Sequence, residues 1–284
     1  MRPARLSAAA AGILLSALSA CTAIRPNVPA ARLGPQPDTF SHAAFDRVLQ
    51  RFVDDRGRVD YGSLQAHRAD LDWYYDLVAA YSPDSSPALF PTRAHALAYW
   101  LNAYNAAVMR TVLEYYPIAG VGDVDPWLPG KAGFFFLQRL TFGGATTSLY
   151  YLENNVVRER FRDPRVHFAL NCASGGCPRL PRRAFTGEQL DQQLDAEARR
   201  FVAEPRNVRI DHGERAVYLS SIFNWYQRDF LDWPPLEGRS GATLLDYVAL
   251  YSTPEQVAEL RRASEYDVRF APYDWNLNDQ HPRG

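Results

Sequence analysis

A cysteine and a histidine are spaced so that they could act together in this chain. Cys172 ends an alternating apolar segment and begins a turn that contains Gly175 and Gly176, while His167 lies on the same segment. The thiolate is the nucleophilic form of cysteine, and a neighbouring imidazole can accept the proton of the thiol. The sequence therefore predicts Cys172 as a nucleophile and His167 as its base.

Glu153 is a candidate third member of this group. The residue pattern predicts a helix that begins after Ser148 and ends near Phe161, with Glu153 on its apolar face. A carboxylate there needs a cation or hydrogen-bond donors, because burying an unpaired charge is costly. A bond to His167 would fix the tautomer of the imidazole, whereas pairing with Arg158 would have only a structural role.

Two amides lie beside the apolar face of the longest predicted helix, over residues 93–116. Asn102 and Asn105 are separated by about one turn of that helix. They either bind the backbone of neighbouring loops, or line a pocket and donate to a substrate carbonyl. Together with Arg158 they are the candidate residues for substrate binding and for stabilising an oxyanion.

The elements that must position these side chains are mostly helical. The alternation over residues 165–172 predicts a half-buried strand that carries His167. Two hairpins are expected, one over residues 134–147 and one over residues 208–219. The sequence thus predicts an α+β fold, a mostly helical single domain packed on a small antiparallel sheet.

The N-terminus has the pattern of a secretory signal. Arg2 and Arg5 precede an apolar run over residues 6–20 that is too short to span a bilayer. The run ends in Leu18-Ser19-Ala20-Cys21, which resembles a bacterial lipobox with Cys21 as the lipidated residue. The alternative is an ordinary signal peptide in which this cysteine occurs by chance.

This pattern divides the chain into three parts. Residues 1–20 are the predicted lipoprotein signal peptide, residues 21–39 a proline-rich tether, and residues 40–284 the globular domain. The lipid predicts a protein of the cell envelope, anchored in the outer membrane and facing the periplasm.

Composition limits the partners of the chain. A net charge of −1 with mixed signs argues against nucleic acid, and no nucleotide-binding glycine pattern is present. No cofactor and no metal are expected. The predicted partners are the membrane, through the lipid, and a peptide or small-molecule substrate.

Several separated motifs resemble the bacterial lipoprotein branch of the domain-of-unknown-function family 547. They are AYWLNAYNA (98–106), Glu153 with Arg158, HFALNCASGGCP (167–178), SIFNWYQRDF (221–230) and YDWNLN (273–278). The resemblance implies a site but no reaction. It also implies a histidine after the glutamate in many relatives, where this chain has Asn154. The resemblance also implies that fewer members of the family have a cysteine at the position of Cys177 than at that of Cys172. Cys172 is therefore the favoured thiol.

Three hypotheses follow for Cys172. In the first it is the nucleophile of an acyl transfer, with backbone amides of the glycine-rich turn binding the oxyanion. In the second, Cys172 and Cys177 form a disulfide or a reversible redox pair in a non-catalytic binding or structural lipoprotein. In the third, and least favoured, both cysteines and His167 bind a soft metal.

Overall fold

The fold is organised around one long helix, α4 (Arg93–Tyr115), in a computed structural model that describes residues 22–33, 38–233, 236 and 241–281. Thr92 caps this helix by accepting a hydrogen bond from the amide of His95. Every residue from 97 to 113 is buried, so the helix is surrounded by protein rather than lying on the surface. The helix predicted over residues 93–116 is confirmed.

The other helices either pack around α4 or contribute to a second apolar cluster, which contains Phe168. In chain order the remaining α-helices are α1 (Ala43–Phe52), α2 (Tyr61–Ala66), α3 (Ala69–Ala80), α5 (Leu149–Tyr151), α6 (Glu159–Phe161), α7 (Leu190–Ala203), α8 (Ser221–Trp225), α9 (Gln227–Leu231), α10 (Leu244–Leu250) and α11 (Pro254–Arg262).

Two small sheets complete the domain, so the predicted α+β class is confirmed. The first contains β1 (Ala23–Ile24), β2 (Arg139–Phe142) and β3 (Ala145–Thr147), and the second contains β4 (Val208–Asp211), β5 (Ala216–Ser220) and β6 (Asp267–Ala271). The strand pairs β2–β3 and β4–β5 are antiparallel hairpins. Each sheet gains a third strand in parallel, β1 or β6, so neither is purely antiparallel.

The apolar core has two parts that meet at residues 164–170. Val166 belongs to the larger cluster around α4, whereas Phe168 belongs to the smaller one formed by helices α7 to α11 and the second sheet. The side chain of Phe168 stacks on Phe201 and Phe230. The segment with His167 is thus fixed between two packed bodies.

The strand predicted over residues 165–172 is wrong. Pro164–Phe168 is a 3₁₀ turn, and His167 is not part of a sheet. The side chain of Asp163 caps the turn by accepting from the amide of Arg165, and Pro164 at its first position favours a helical φ. Every residue of the turn is buried, and Val166 and Phe168 pack into different apolar clusters. The alternation of apolar residues therefore reflects packing in two directions and not a strand.

The helix that carries Glu153 is wider than a regular α-helix. Its middle, Leu152–Arg158, is π-helical and joins α5 to α6. The cap predicted at Ser148 is confirmed, since its hydroxyl accepts from the amide of Tyr151. π-Helical turns are rare and are frequent at functional sites.

The segment predicted as a tether begins on the domain itself. Ala23 and Ile24 pair in parallel with Arg139 and Leu140, and Ile24 is buried. The predicted signal peptide and Cys21 lie outside the described residues. None of the helices in the described ranges has the length and apolarity needed to cross a bilayer.

Candidate active site

Cys172, His167 and Glu153 line one cavity of about 330 Å³, although they come from three different elements. Half of the lining residues are aromatic, namely Tyr104, Phe135, Phe136, Tyr150, Trp225, Tyr226, Tyr273 and Trp275. A concave apolar site with a few converging polar groups is the usual form of a small-molecule site. This cavity is therefore the candidate active site.

The loop after Cys172 is covered by the C-terminal segment and does not lie open as the sequence suggested. The amides of Gly175 and Gly176 donate to the carbonyls of Asn276 and Asp274, at 2.7 and 2.8 Å. A Cβ on Gly175 would overlap the carboxylate of Asp274. The two glycines thus permit close contact between two backbone segments.

Strain in this loop lies at a residue that the sequence did not indicate. Ala173 has a φ of +63°, which is uncommon for a residue other than glycine. The side chain of Asn171 accepts from the amide of Ala173 at 2.9 Å. The carbonyl of Ala173 accepts from the amide of Asn278 at 3.0 Å. These bonds hold the conformation that directs the neighbouring Cys172 toward the cavity.

The thiol of Cys172 is surrounded by hydrogen-bonding groups. Its Sγ lies 3.3 Å from the hydroxyl of Tyr273 and 3.6 Å from that of Ser174. The Sγ of Cys177 accepts from the amide of Cys172 at 3.0 Å and from the hydroxyl of Tyr273 at 3.2 Å. Both cysteines are free thiols; Cys172 is half-buried and Cys177 is buried.

These contacts make the two thiols unequal. The hydrogen bond from the side chain of Cys177 lowers the pKa of Cys172, and those from Tyr273 and Ser174 lower it further, against the effect of burial. Burial raises the pKa of Cys177 well above the ordinary value for a thiol. Cys172 is thus the thiol that ionises first, and Cys177 acts as its hydrogen-bond donor.

His167 is paired with Asp229 instead of Glu153. The Nε2 atom of His167 lies 2.8 Å from Asp229 Oδ2, and Arg158 binds both oxygens of the same carboxylate at 2.8 and 3.1 Å. The imidazole also stacks on the ring of Tyr226, with centroids 3.9 Å apart. Asp229 therefore has the orienting position that was predicted for Glu153, and Arg158 neutralises Asp229.

Electrostatics keep the imidazole neutral and the aspartate charged. Burial lowers the pKa of His167 below its ordinary value, although the hydrogen bond to Asp229 opposes the shift. Burial alone would raise the pKa of Asp229, but bonds from His167 and Arg158 hold it far below the usual range. With an ionised Asp229 accepting from Nε2–H, Nδ1 is the basic nitrogen of His167.

Glu153 binds two tyrosines. Its oxygens accept from the hydroxyls of Tyr226 at 2.6 Å and Tyr104 at 3.1 Å. Burial raises the pKa of both tyrosines above the ordinary value, so both remain donors at neutral pH. Since Tyr226 also stacks on His167, it connects Glu153 to the imidazole without a direct bond between them.

The amides of Asn102 and Asn105 bind backbone and are not directed at the thiol. Asn102 donates to the carbonyl of Phe185 at 2.7 Å and accepts from its amide at 3.0 Å. Asn105 donates to the carbonyl of Ala169 and accepts from the amide of Asn171, both at 2.9 Å. The oxyanion role expected for them is replaced by a role in positioning the two ends of the cysteine segment.

The backbone amides expected to bind an oxyanion are also engaged. In the turn after Cys172, the amides of Ala173, Gly175, Gly176 and Cys177 donate to protein acceptors. The hydroxyl of Tyr273 lies 3.3 Å from the Cys172 sulfur and 3.2 Å from that of Cys177, and its single proton can be donated to either.

Three residues of the site were not indicated by sequence reasoning: Tyr226, Asp229 and Tyr273. The first two lie in SIFNWYQRDF, where Asp229 comes three residues after Tyr226 and both flank the apolar face of α8 and α9. The carboxylate of Asp229, in a motif rich in aromatic residues, was the sequence feature that could have indicated a site residue. Tyr273 opens YDWNLN, in which no property other than aromatic character points to a thiol.

In the part of the chain that the structure describes, no three His, Cys, Asp or Glu residues are grouped to hold a metal ion. His167, Cys172 and Cys177 therefore do not form the soft-metal site considered for them.

The fold and the site define a mostly helical α+β domain with a polarised thiol on an aromatic cavity. Residues 90–202 match the family model described as "Protein of unknown function, DUF547". The match supports the resemblance to that family and includes α4, Glu153, His167 and the cysteine loop. No curated protein and no solved structure has a significant match to this chain.

Proposed function

We propose that the chain is a thiol-dependent acyl-transfer enzyme or hydrolase, of the peptidase, amidase or transglutaminase type, with Cys172 as its nucleophile. The observation that carries this proposal is the position of the Cys172 sulfur on the aromatic cavity, beside three groups that stabilise its thiolate. A thiolate in such surroundings is reactive, whereas an inert structural cysteine is sealed in apolar surroundings.

In the first half of the reaction, the thiol proton passes to Nδ1 of His167. The two side chains line one cavity but share no hydrogen bond in the structure, so a water molecule or the substrate must carry the proton between them. The thiolate attacks the carbonyl carbon of an ester or amide, so that the C–S bond forms and the carbonyl electrons move to oxygen. The intermediate then expels the alcohol or amine, which takes the proton from the imidazolium. The product is a thioester on Cys172.

In the second half, water or an amine attacks the thioester and gives a proton to His167. The C–S bond breaks, the acyl product leaves, and the proton returns to the sulfur. Asp229 stabilises the imidazolium that forms twice in this cycle, since its carboxylate binds Nε2 at 2.8 Å. The hydroxyl of Tyr273 is a donor to the oxyanion once the sulfur is acylated.

Trapping of the acyl-enzyme tests this function. With p-nitrophenyl acetate, we expect one acetyl group on Cys172 in the peptide mass spectrum, and none on Cys177, because Cys177 is buried and its pKa is raised. Cys172→Ala should abolish acetylation. Cys177→Ala should retain acetylation at a lower rate. The thiolate of Cys172 would lose its hydrogen bond with Cys177, and the pKa of Cys172 would rise. Equal release of p-nitrophenol by Cys172→Ala would refute the proposal.

A second candidate is a non-catalytic envelope lipoprotein with a Cys172–Cys177 disulfide. It is favoured by the hydrogen bond between the thiols and by their shared contact with Tyr273. Counting free thiols after acid quenching of freshly isolated protein distinguishes the two. Two free thiols agree with the acyl-transfer enzyme, and none agrees with the disulfide.

The lipid anchor is part of the proposed function. We propose that Cys21 is lipidated and holds the domain on the outer membrane, facing the periplasm. Only Thr22 separates Cys21 from β1, so the first sheet would lie close to the bilayer surface. Cys21→Ala should lose labelling by palmitate and move to the soluble fraction; unchanged labelling would contradict the assignment.

A further inference from the structure

We infer that the substrate carries a cationic group, an ammonium or alkylated ammonium, which binds in the aromatic cavity against Glu153. The inference rests on the proposed function, because it names the class of substrate that Cys172 would attack. It is carried by the charges and ring faces of the cavity wall.

The charges around Glu153 do not balance. Arg158 is the nearby cation, and its guanidinium binds both oxygens of Asp229. His167 is neutral at neutral pH, since burial lowers its pKa. Among the described residues, Glu153 has no ion-pair partner, and its two bonds come from uncharged tyrosine hydroxyls. One arginine therefore faces two carboxylates, and one negative charge is left on the cavity wall.

The carboxylate can accept a further donor. An ionised carboxylate offers about four lone-pair positions, and the hydroxyls of Tyr104 and Tyr226 use two of them. The side chain of Glu153 is only half-buried, and it lines the cavity. An ammonium that entered the cavity would thus meet a charged acceptor with free positions.

The rings around the cavity favour the same ligand. Trp225, Phe136 and Tyr150 line it and are 47%, 43% and 45% exposed, so a ligand can reach them from solvent. The face of an aromatic ring attracts cations, most strongly for tryptophan. Protein cations already lie over two other wall residues, with Lys131 3.9 Å from the ring centroid of Trp275 and Arg158 4.6 Å from that of Tyr226.

An anionic substrate does not fit this site. Among the described residues, the cavity lining contains no lysine and no arginine, because Lys131 and Arg158 contact wall rings without lining the cavity, and Glu153 is its one carboxylate. A carboxylate or phosphate group on the substrate would therefore enter against an unneutralised charge, with no cationic side chain on the wall to bind it.

Charged thiol reagents test the inference on the intact protein. Cys172 is reacted with two methanethiosulfonates, one with a trimethylammonium-ethyl group and one with a sulfonato-ethyl group. The rate with each reagent is divided by the rate at which the same reagent reacts with 2-mercaptoethanol, and the two ratios are compared. We expect the cationic reagent to be favoured by about tenfold or more. Glu153→Gln should reduce this preference several-fold. Glu159→Gln, which removes the same charge from an exposed position outside the cavity, should leave it unchanged.

A second measurement uses only the wild-type chain, in case Glu153→Gln does not fold. Choline should slow alkylation of Cys172 by iodoacetamide, whereas its neutral isostere 3,3-dimethyl-1-butanol should not. Equal slowing by the two compounds would overturn the inference, and so would a preference for the cationic reagent that Glu153→Gln does not change. Neither result would contradict the proposal that Cys172 is a reactive thiol. Failure of Cys172 to react with any of the reagents would overturn the proposed function as well.

Discussion

Asp229→Asn is expected to lower the rate of acyl transfer by about 10²- to 10⁴-fold. The asparagine oxygen would take the position of Oδ2, where it still accepts from Nε2 of His167 and from Arg158, so the tautomer is kept. The side chain would carry no charge, and the imidazolium that forms in the reaction would lose its counterion while Arg158 stays beside it. The substitution thus preserves shape but removes the charge that stabilises protonated His167.

Two comparisons separate this effect from damage to the fold. Asp232→Asn removes an exposed carboxylate three residues away, which pairs with Arg228 among the described residues, and should leave the rate unchanged. Alkylation of Cys172 should continue in Asp229→Asn, because the thiolate is stabilised by Cys177, Tyr273 and Ser174 and not by Asp229. An Asp229→Asn protein with the wild-type pH–rate profile and rate would show that His167 is not the base.

Asn105→Ala is expected to lower the free energy of unfolding by about 2–5 kcal/mol. Its side chain is 2% exposed and binds the carbonyl of Ala169 and the amide of Asn171. Alanine would leave both backbone groups buried without a partner. The loss falls on the segment that joins His167 to Cys172, so the substitution should also loosen the site.

Urea unfolding followed by tryptophan fluorescence measures this change. Asn155→Ala is the matched control, because Asn155 is exposed and should change the free energy of unfolding by less than about 0.5 kcal/mol. Asn105→Asp keeps the acceptor for Asn171 but places a buried carboxylate against the carbonyl of Ala169, and should lower the free energy of unfolding at least as much as alanine does. A loss below about 1 kcal/mol for Asn105→Ala would mean that the backbone groups find other partners.

The parts of the fold with strong local signals could be predicted from the sequence. Helix α4 combines a capping threonine, a long apolar pattern and a proline after its end, and its predicted bounds agree with the structure to within one residue. The hairpin β2–β3 follows from the paired glycines at its turn, but its first strand begins at Arg139 and not at residue 134, because Gly133–Leu137 forms a π-helical turn. In these elements, local chemistry and tertiary packing favour the same conformation.

The alternation over residues 165–172 does not produce a strand, because this segment is buried from two sides. Val166 and Phe168 enter different apolar clusters, so the period of two arises from packing and not from a pleated strand. The capping aspartate and Pro164 were the local signals for a helical turn. Parallel pairing of β1 and β6 could not be predicted, since their partners are distant in the chain.

The candidate site was predictable in its residue types but not in its pairings. Cys172, His167 and Glu153 do line one cavity. Their hydrogen-bond partners come from far along the chain: Asp229 lies 62 residues beyond His167, and Tyr273 lies 101 residues beyond Cys172. Several carboxylates could satisfy a buried histidine, and sequence spacing does not select among them.

The pH dependence of alkylation tests the central claim, a stabilised thiolate at Cys172, most directly. Because hydrogen bonds lower its pKa, the rate of iodoacetamide labelling at Cys172 should reach half its maximum below the pH of an ordinary thiol, with Cys177 unlabelled. Tyr273→Phe removes one of those bonds and should shift the midpoint to higher pH. A midpoint at or above that of a free cysteine, unchanged by Tyr273→Phe, would contradict a reactive Cys172.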